Sequence, residues 1–278
     1  MINYNSLVKK WASELELYEL PEAQNLVEWL LEHHLGLRRV DMMNFLEEKD
    51  LPKSLFDDFE RLKKGEPIQQ ILGKAPFYGR EFQVSRDTLI PRNETEELVH
   101  LIIKENPQSG LKILDIGTGT GCIPITLFLE MNEAEVYGLD VSESALAIAH
   151  KNAEELKAKV HWIHLDILEE ELPIGDLDIL VSNPPYIPEK GKEKMHRNVL
   201  DFEPELALFV PDENPLLFYR RIAILGKKAL KPKGKLYFEI HEDYGKDVQN
   251  LLFDLGYSEV EIIPDLNGKD RMVKGKNL

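Results

Sequence analysis

Only one cysteine, Cys122, occurs in the 278 residues. No intrachain disulfide can form, and a reducing cytoplasm is the expected setting. No apolar run approaches the roughly 18 residues that cross a bilayer, so neither a transmembrane helix nor a membrane partner is expected. The start, Met1-Ile2-Asn3-Tyr4-Asn5, lacks the basic residues and apolar stretch of a secretory leader. Positive charge is also short: 34 Lys and Arg stand against 50 Asp and Glu, a formal net charge of -16. Coating nucleic acid needs a basic surface, so direct binding to a phosphate backbone is not expected. No metal site is expected either. His164 and Asp166 fall on one face of a predicted strand and His161 on the other, while His33 and His34 are adjacent on a helical stretch and diverge.

What remains is ordinary globular material, 43% hydrophobic and 30% charged, long enough for one α/β domain and a smaller module. Residues 1–75 read as a helical bundle. Leu7, Trp11, Leu15 and Tyr18 recur at helical spacing; Pro21 opens a second stretch with Leu26, Trp29, Leu30 and Leu35, which Gly36 stops. Leu55, Phe59 and Leu62 form a third stretch, ending at Gly65-Glu66-Pro67, and Trp11 and Trp29 are expected in the core. Phe77 to Val84 predicts a hairpin with Gly79 in its turn, making 76–92 a linker. A helix should follow from Thr95 through Ile103.

From residue 110 the pattern is strand, turn, helix, repeated. Strands are predicted at 112–116, 135–139, 160–165, 177–182, 235–240 and 259–263, with helices at 123–131, 144–156, 216–230 and 244–255. Such alternation implies a parallel sheet covered on both faces, an α/β domain over 93–278.

The first of these strands runs into Asp115-Ile116-Gly117-Thr118-Gly119-Thr120-Gly121. In open α/β sheets, ligands sit beyond the carboxyl ends of the strands, and glycines there let a ligand lie against the backbone. Position 122 is Cys, so the spacing departs from the dinucleotide fingerprint G-x-G-x-x-G. Asp140 ends the second strand, where a carboxylate can accept from ribose hydroxyls. Asp166 ends the third, where it can accept from an adenine amino group or simply cap a turn. Together they favour an adenosine ligand.

The fourth strand runs into Asn183-Pro184-Pro185-Tyr186. Two prolines fix φ and remove competing N–H groups, leaving carbonyl acceptors. The Asn183 side-chain oxygen also accepts. A planar NH₂ can give one hydrogen to Asn183 and the other to the Pro184 carbonyl, while Tyr186 stacks on the flat group. Such a nitrogen is a weak nucleophile, so orientation toward a sulfonium methyl is the main lever. Acceptors around it also stabilise the positive charge that builds there.

These motifs resemble the HemK/PrmC family of protein-glutamine methyltransferases, with likeness over almost the whole chain. The glycine turn, Asp140 and the Asn183–Tyr186 loop match its cofactor and substrate motifs. Gly65 to Gly73 and Leu89-Ile90-Pro91-Arg92-Asn93-Glu94-Thr95-Glu96 are similar to its linker and Pro-Arg-Pro-Glu-Thr signature. Glu203-Pro204, Ala207-Leu208, Phe238-Glu239-Ile240, Asp265-Leu266 and Asp270-Arg271 also match. The resemblance implies a class I, Rossmann-like methyltransferase with S-adenosylmethionine as cofactor and a seven-stranded sheet, one strand antiparallel. It implies that the N-terminal helices contact peptide chain release factors, whose Gly-Gly-Gln glutamine is methylated on its side-chain amide. The loop alone is shared with adenine-N6 and guanine-N2 methyltransferases of nucleic acids; the outer segments and the acidity favour the glutamine branch. The chain departs from the family at Asn93, usually Pro, at Leu168, where an aromatic often packs on adenine, and at 209–215, which lacks glycines.

Overall fold

The computed structural model describes residues 2–36, 45–46 and 51–278. They form two compact units, one up to Lys74 together with His196–Phe202, the other Ala75–Met195 with Glu203–Leu278. The remainder of the 1–75 bundle predicted from the sequence lies outside the described residues.

In the first unit the short strands β1 (Ile2–Asn3) and β2 (Phe45–Leu46) pair antiparallel. Four helices follow the apolar spacing: α1 (Tyr4–Ala12), α2 (Leu20–Leu35), α3 (Lys53–Lys63) and α4 (Ile68–Leu72). Pro21 sits in the first turn of α2, where its missing N–H costs nothing. Gly36, with φ 62°, ends that helix in the left-handed conformation. Leu7, Val8 and Trp11 meet Val27, Leu30 and Leu31, and Leu55, Phe59 and Leu62 close the core. Trp11 stacks on Phe59 with ring centroids 4.3 Å apart. Trp29 departs from expectation and is 39% exposed. The buried stripe of α2 is carried by Val27, Leu30 and Leu31, and position 29 lies off it at 100° per residue.

From Ala75 the second unit opens with a hairpin of β3 (Lys74–Phe77, its first residue belonging to the first unit) and β4 (Arg80–Gln83), turned by Tyr78 and Gly79, both with positive φ. Helix α5 (Asn93–Glu105) leads into β5 (Lys112–Ile116), α6 (Cys122–Glu130), β6 (Glu135–Asp140), α7 (Glu143–Leu156), β7 (Val160–His164) and β8 (Leu177–Ser182). Beyond β8 come a two-residue parallel pair, β9 (Ile187–Pro188) and β10 (Phe209–Val210), and the short helix α8 (Arg197–Phe202) of the first unit. The chain ends with α9 (Leu217–Ala229), β11 (Leu230–Glu239), α10 (Gly245–Asp254), β12 (Ser258–Pro264) and β13 (Asp270–Lys276).

The seven long strands lie in the order β12-β13-β11-β8-β5-β6-β7. The sheet is mixed, not wholly parallel as the strand–helix alternation predicts, because β13 runs antiparallel to β11 and β12. No helix separates β12 from β13, so the chain must turn straight back. Alternation along the strands splits the core. Leu114, Ile116, Leu180, Leu236 and Phe238 face α9 and α10, while Ile113, Val136, Ile179, Val181 and Tyr237 face α5 and α6. From β5 the chain goes outward through β6 and β7, then returns to β8 on the other side of β5. That reversal opens a crevice beyond Ile116 and Ser182. Among the described residues no helix is long and apolar enough to cross a membrane.

Candidate active site

Strand register brings the four predicted loops to one level. Ile116 pairs with Leu139 on one side and Ser182 on the other, and Asp140 pairs with His164. Gly117 N and Thr118 N both donate to the Leu139 carbonyl, at 2.8 and 3.0 Å, and Ser182 Oγ donates to the Ile116 carbonyl at 2.7 Å. A cavity of about 260 Å³ opens there, lined by Gly117, Gly119, Asp140, Asp166, Leu168 and Asn183, together with Pro184 and Pro185. Asp115, Thr118, Thr120, Gly121 and Tyr186 do not line it.

The glycines do two different things. A Cβ at Gly119 would meet nothing within 4 Å, and one at Gly117 only the Asn183 carbonyl at 3.9 Å, so both face open space. Both also have positive φ, which disfavours any side chain. Gly121 corrects the expectation of close ligand approach: its Cβ would strike Trp162 at 2.9 Å, Ile125 at 3.0 Å and Ala149 at 3.1 Å. It is glycine so that α6 can pack against the sheet and α7. Beneath the turn, Asp115 is fully buried, and both its oxygens and Thr118 Oγ1 are without hydrogen-bond partners. Burial pushes the Asp115 carboxyl up to about 7; the nearby Thr118 hydroxyl acts against the rise and the Asp140 charge adds to it.

Asp140 Oδ2 accepts from Gly119 N at 2.8 Å and Oδ1 from Ser142 N at 3.0 Å, so it pins the glycine turn and the start of α7. Burial raises its pKa, and those N–H groups act against the rise. Each oxygen keeps a further lone pair. Asp166 Oδ1 accepts from Leu168 N at 2.9 Å, capping a turn while also facing the cavity. A third carboxylate, Asp87, joins the lining, which contains no Lys, Arg or His.

On the loop side, Asn183 Nδ2 donates to Thr95 Oγ1 at 3.3 Å, and Thr95 Oγ1 donates to Glu239 Oε2 at 2.7 Å. Tyr186 OH donates to Glu239 Oε1 at 3.4 Å. With its NH₂ turned inward, Asn183 keeps its Oδ1 as an acceptor, and among the described residues nothing donates to it. Burial pushes the Glu239 carboxyl up to about 7, against the Thr95 hydrogen bond and the Arg271 guanidinium. Burial and the Glu239 charge also raise the Tyr186 phenol.

Sequence reasoning did not place Thr95, Glu239 or Asp87 in the site. A glutamate inside the apolar run from Leu236 to Ile240 was the available signal, since a buried carboxylate needs a reason. Nor did it find the pair that holds the cavity rim. Glu203 Oε2 accepts from Ile90 N at 3.0 Å and Oε1 from Arg92 at 2.5 Å. This joins two lining segments, 87–89 and 204–207.

With that geometry, the chain matches the family described as Methyltransferase small domain over residues 94–201 and the PrmC N-terminal domain over residues 6–73. It is 51% identical to a release factor glutamine methyltransferase of Bacteroides thetaiotaomicron over 84% of this chain and 82% of the relative. A protein of that name from Bacillus cereus is 39% identical over 95% and 96%. The structure of a methyltransferase from Pyrococcus furiosus is similar in fold, with a TM-score of 0.54 and 16% identity, covering 80% of this chain and 99% of that one.

Proposed function

Because the chain belongs to the family of release factor glutamine methyltransferases, we propose that it methylates the side-chain amide nitrogen of the Gly-Gly-Gln glutamine in peptide chain release factors. The methyl donor is S-adenosylmethionine. The observation that carries this reading is the Asn183 amide, tied inward through its NH₂ so that its oxygen is left as an acceptor at the cavity edge.

The cavity residues fit the donor. Three aspartates and no cationic side chain line it. That suits a ligand with a net positive charge and suits the pyrophosphate of a dinucleotide poorly. The open space over Gly117 and Gly119 is a cradle that side chains would fill. In this reading Asp140 accepts from the ribose and Asp166 with Leu168 borders the adenine. Asp115, Thr118, Thr120 and Gly121 shape the turn from below. When bound, the donor supplies a methyl group on a sulfonium sulfur.

The substrate nitrogen gives one hydrogen to Asn183 Oδ1 and the other to the Pro184 carbonyl, with Pro185 keeping the loop stiff and Tyr186 beside the flat amide. Holding both hydrogens points the face of the nitrogen into the cavity. It also stabilises the positive charge that develops there. We assign recognition of the release factor to residues 1–75, supported by the PrmC N-terminal match. The transferase is assigned to 93–278, and 76–92 lies between them. A cytoplasmic location is supported by the single cysteine, and a protein substrate, not nucleic acid, by the charge of -16.

Mass spectrometry of a release factor incubated with the protein and S-adenosylmethionine tests the reading. One added methyl group is expected on the Gly-Gly-Gln glutamine. Transfer to RNA or DNA with none to the release factor would overturn it.

A further inference from the structure

We infer that Glu239, acting through Thr95, is the positioning residue that decides which end of the Asn183 amide faces the substrate nitrogen. The inference rests on the reading of Asn183 as the acceptor for that nitrogen. An asparagine amide is nearly symmetric in shape, and turning it over exchanges an acceptor for a donor. Turned the wrong way, Asn183 would set its NH₂ against the NH₂ of the substrate.

Thr95 touches the Asn183 amide but cannot fix its direction alone. A hydroxyl carries one hydrogen and two lone pairs, so it can donate to Oδ1 or accept from Nδ2 with equal ease. Glu239 removes the choice. Ionised, its carboxylate only accepts, and Oε2 stands 2.7 Å from Thr95 Oγ1. The Thr95 hydrogen is therefore committed to Glu239, and Thr95 can only accept from Asn183 Nδ2, 3.3 Å away. The amide oxygen is then the end left for the substrate.

The other carboxylate oxygen takes the Tyr186 hydroxyl at 3.4 Å, so both ends of the Asn183–Tyr186 loop are tied to one group. Tyr219 OH donates to the Glu239 carbonyl at 3.1 Å, which steadies the strand end beneath it. Glu239 is 1% exposed and sits between Phe238 and Ile240, both fully buried. A position needed only for packing would be apolar here, because burying a carboxylate is costly. Each Glu239 oxygen instead meets a hydroxyl that touches or belongs to the reacting loop.

The test compares wild type with Thr95→Val, Thr95→Ser and Glu239→Gln, using the full chain, S-adenosylmethionine and a release factor. Thr95→Val keeps the shape and loses the relay. Its kcat should fall about 10- to 100-fold, while KM for the release factor and Kd for S-adenosylmethionine move by less than about threefold. Thr95→Ser restores the hydroxyl and should recover kcat to within about threefold of wild type. Glu239→Gln can donate as well as accept, so it should lose kcat as Thr95→Val does.

A second readout needs no turnover. Proton exchange of the Asn183 side-chain amide, followed by NMR in the free protein, should show one protected hydrogen in wild type and Thr95→Ser and none in Thr95→Val. Wild-type kcat in Thr95→Val, or Thr95→Ser as slow as Thr95→Val, overturns the relay. So does equal protection in all forms. A wild-type protein that leaves release factors unmethylated yet shows the protected hydrogen overturns the assigned substrate and supports the relay.

Discussion

Asp115 and Glu239 are buried carboxylates on the same face of the sheet, two strands apart, and both are pushed up to about 7. Their company differs. Asp115 lies under the glycine turn with neither oxygen hydrogen-bonded, next to a Thr118 hydroxyl in the same condition. Glu239 holds the hydroxyls of Thr95 and Tyr186. One side of the cavity is thus a backbone cradle with unsatisfied polar groups below it. The other is a side-chain network closed on itself before any ligand arrives. The contrast matches the two tasks. A cradle has only to leave open backbone for the donor, whereas a weakly nucleophilic amide needs its acceptors aligned in advance.

The largest effect should come from breaking the closed side. Asn183→Ala removes the acceptor that orients the substrate nitrogen, and kcat should drop about 10²–10³-fold, the usual cost of losing one preorganised polar contact. Calorimetric affinity for S-adenosylmethionine should be nearly that of wild type. Retained turnover would mean that the loop side does not orient the substrate. On the cradle side the pattern should invert. Asp140→Ala removes a ribose acceptor and frees Gly119 N and Ser142 N. Donor affinity should weaken by about 1–3 kcal/mol, with kcat at saturating donor less affected.

The two sides were also unequally legible in the sequence. The cradle is local: strand, glycines and the carboxylate ending the next strand follow each other within thirty residues, and short apolar runs buried on both faces mark the strands. Lys112–Ile116 and Leu177–Ser182 fall where the pattern puts them. The network is not local, since Thr95 and Glu239 are 144 residues apart and no spacing rule joins them. β13 escaped for a different reason: Asp270-Arg271-Met272-Val273-Lys274-Gly275-Lys276 has two adjacent apolar residues and no alternation. Trp29 shows that an aromatic at roughly helical spacing can still miss the buried stripe.

Within the cradle, glycine substitutions should separate ligand space from packing. Gly119→Ala adds a methyl group where a ligand would lie, at a left-handed φ that costs about 1–2 kcal/mol. Donor affinity should fall more than the melting temperature. Gly121→Ala pays the same strain and also drives a methyl group into Trp162, Ile125 and Ala149. Overpacking of that kind adds about 1–3 kcal/mol of destabilisation, so thermal unfolding should report it first. Identical profiles for the two variants would erase the distinction between them.

The two sides also bear on the pH dependence of stability. An unfolded aspartate titrates near 4, roughly the model-peptide value, whereas the folded Asp115 carboxyl is held up to about 7. Between those limits the folded protein keeps a proton that the unfolded chain has released. Stability therefore falls as pH climbs from about 4 to about 7, and the loss is complete above that window. Glu239, also raised to about 7, contributes a slope of the same sign. Asp115→Asn keeps the shape and has no proton to lose. Without S-adenosylmethionine, its melting temperature should drop less than that of wild type between about pH 5 and about pH 8, by a few degrees for each kcal/mol recovered. Glu239→Gln is a poor instrument for this measurement, because it also disturbs Thr95 and Tyr186. Parallel drops in wild type and Asp115→Asn would mean that Asp115 ionises in its ordinary range, and the slope would then belong to the closed side alone.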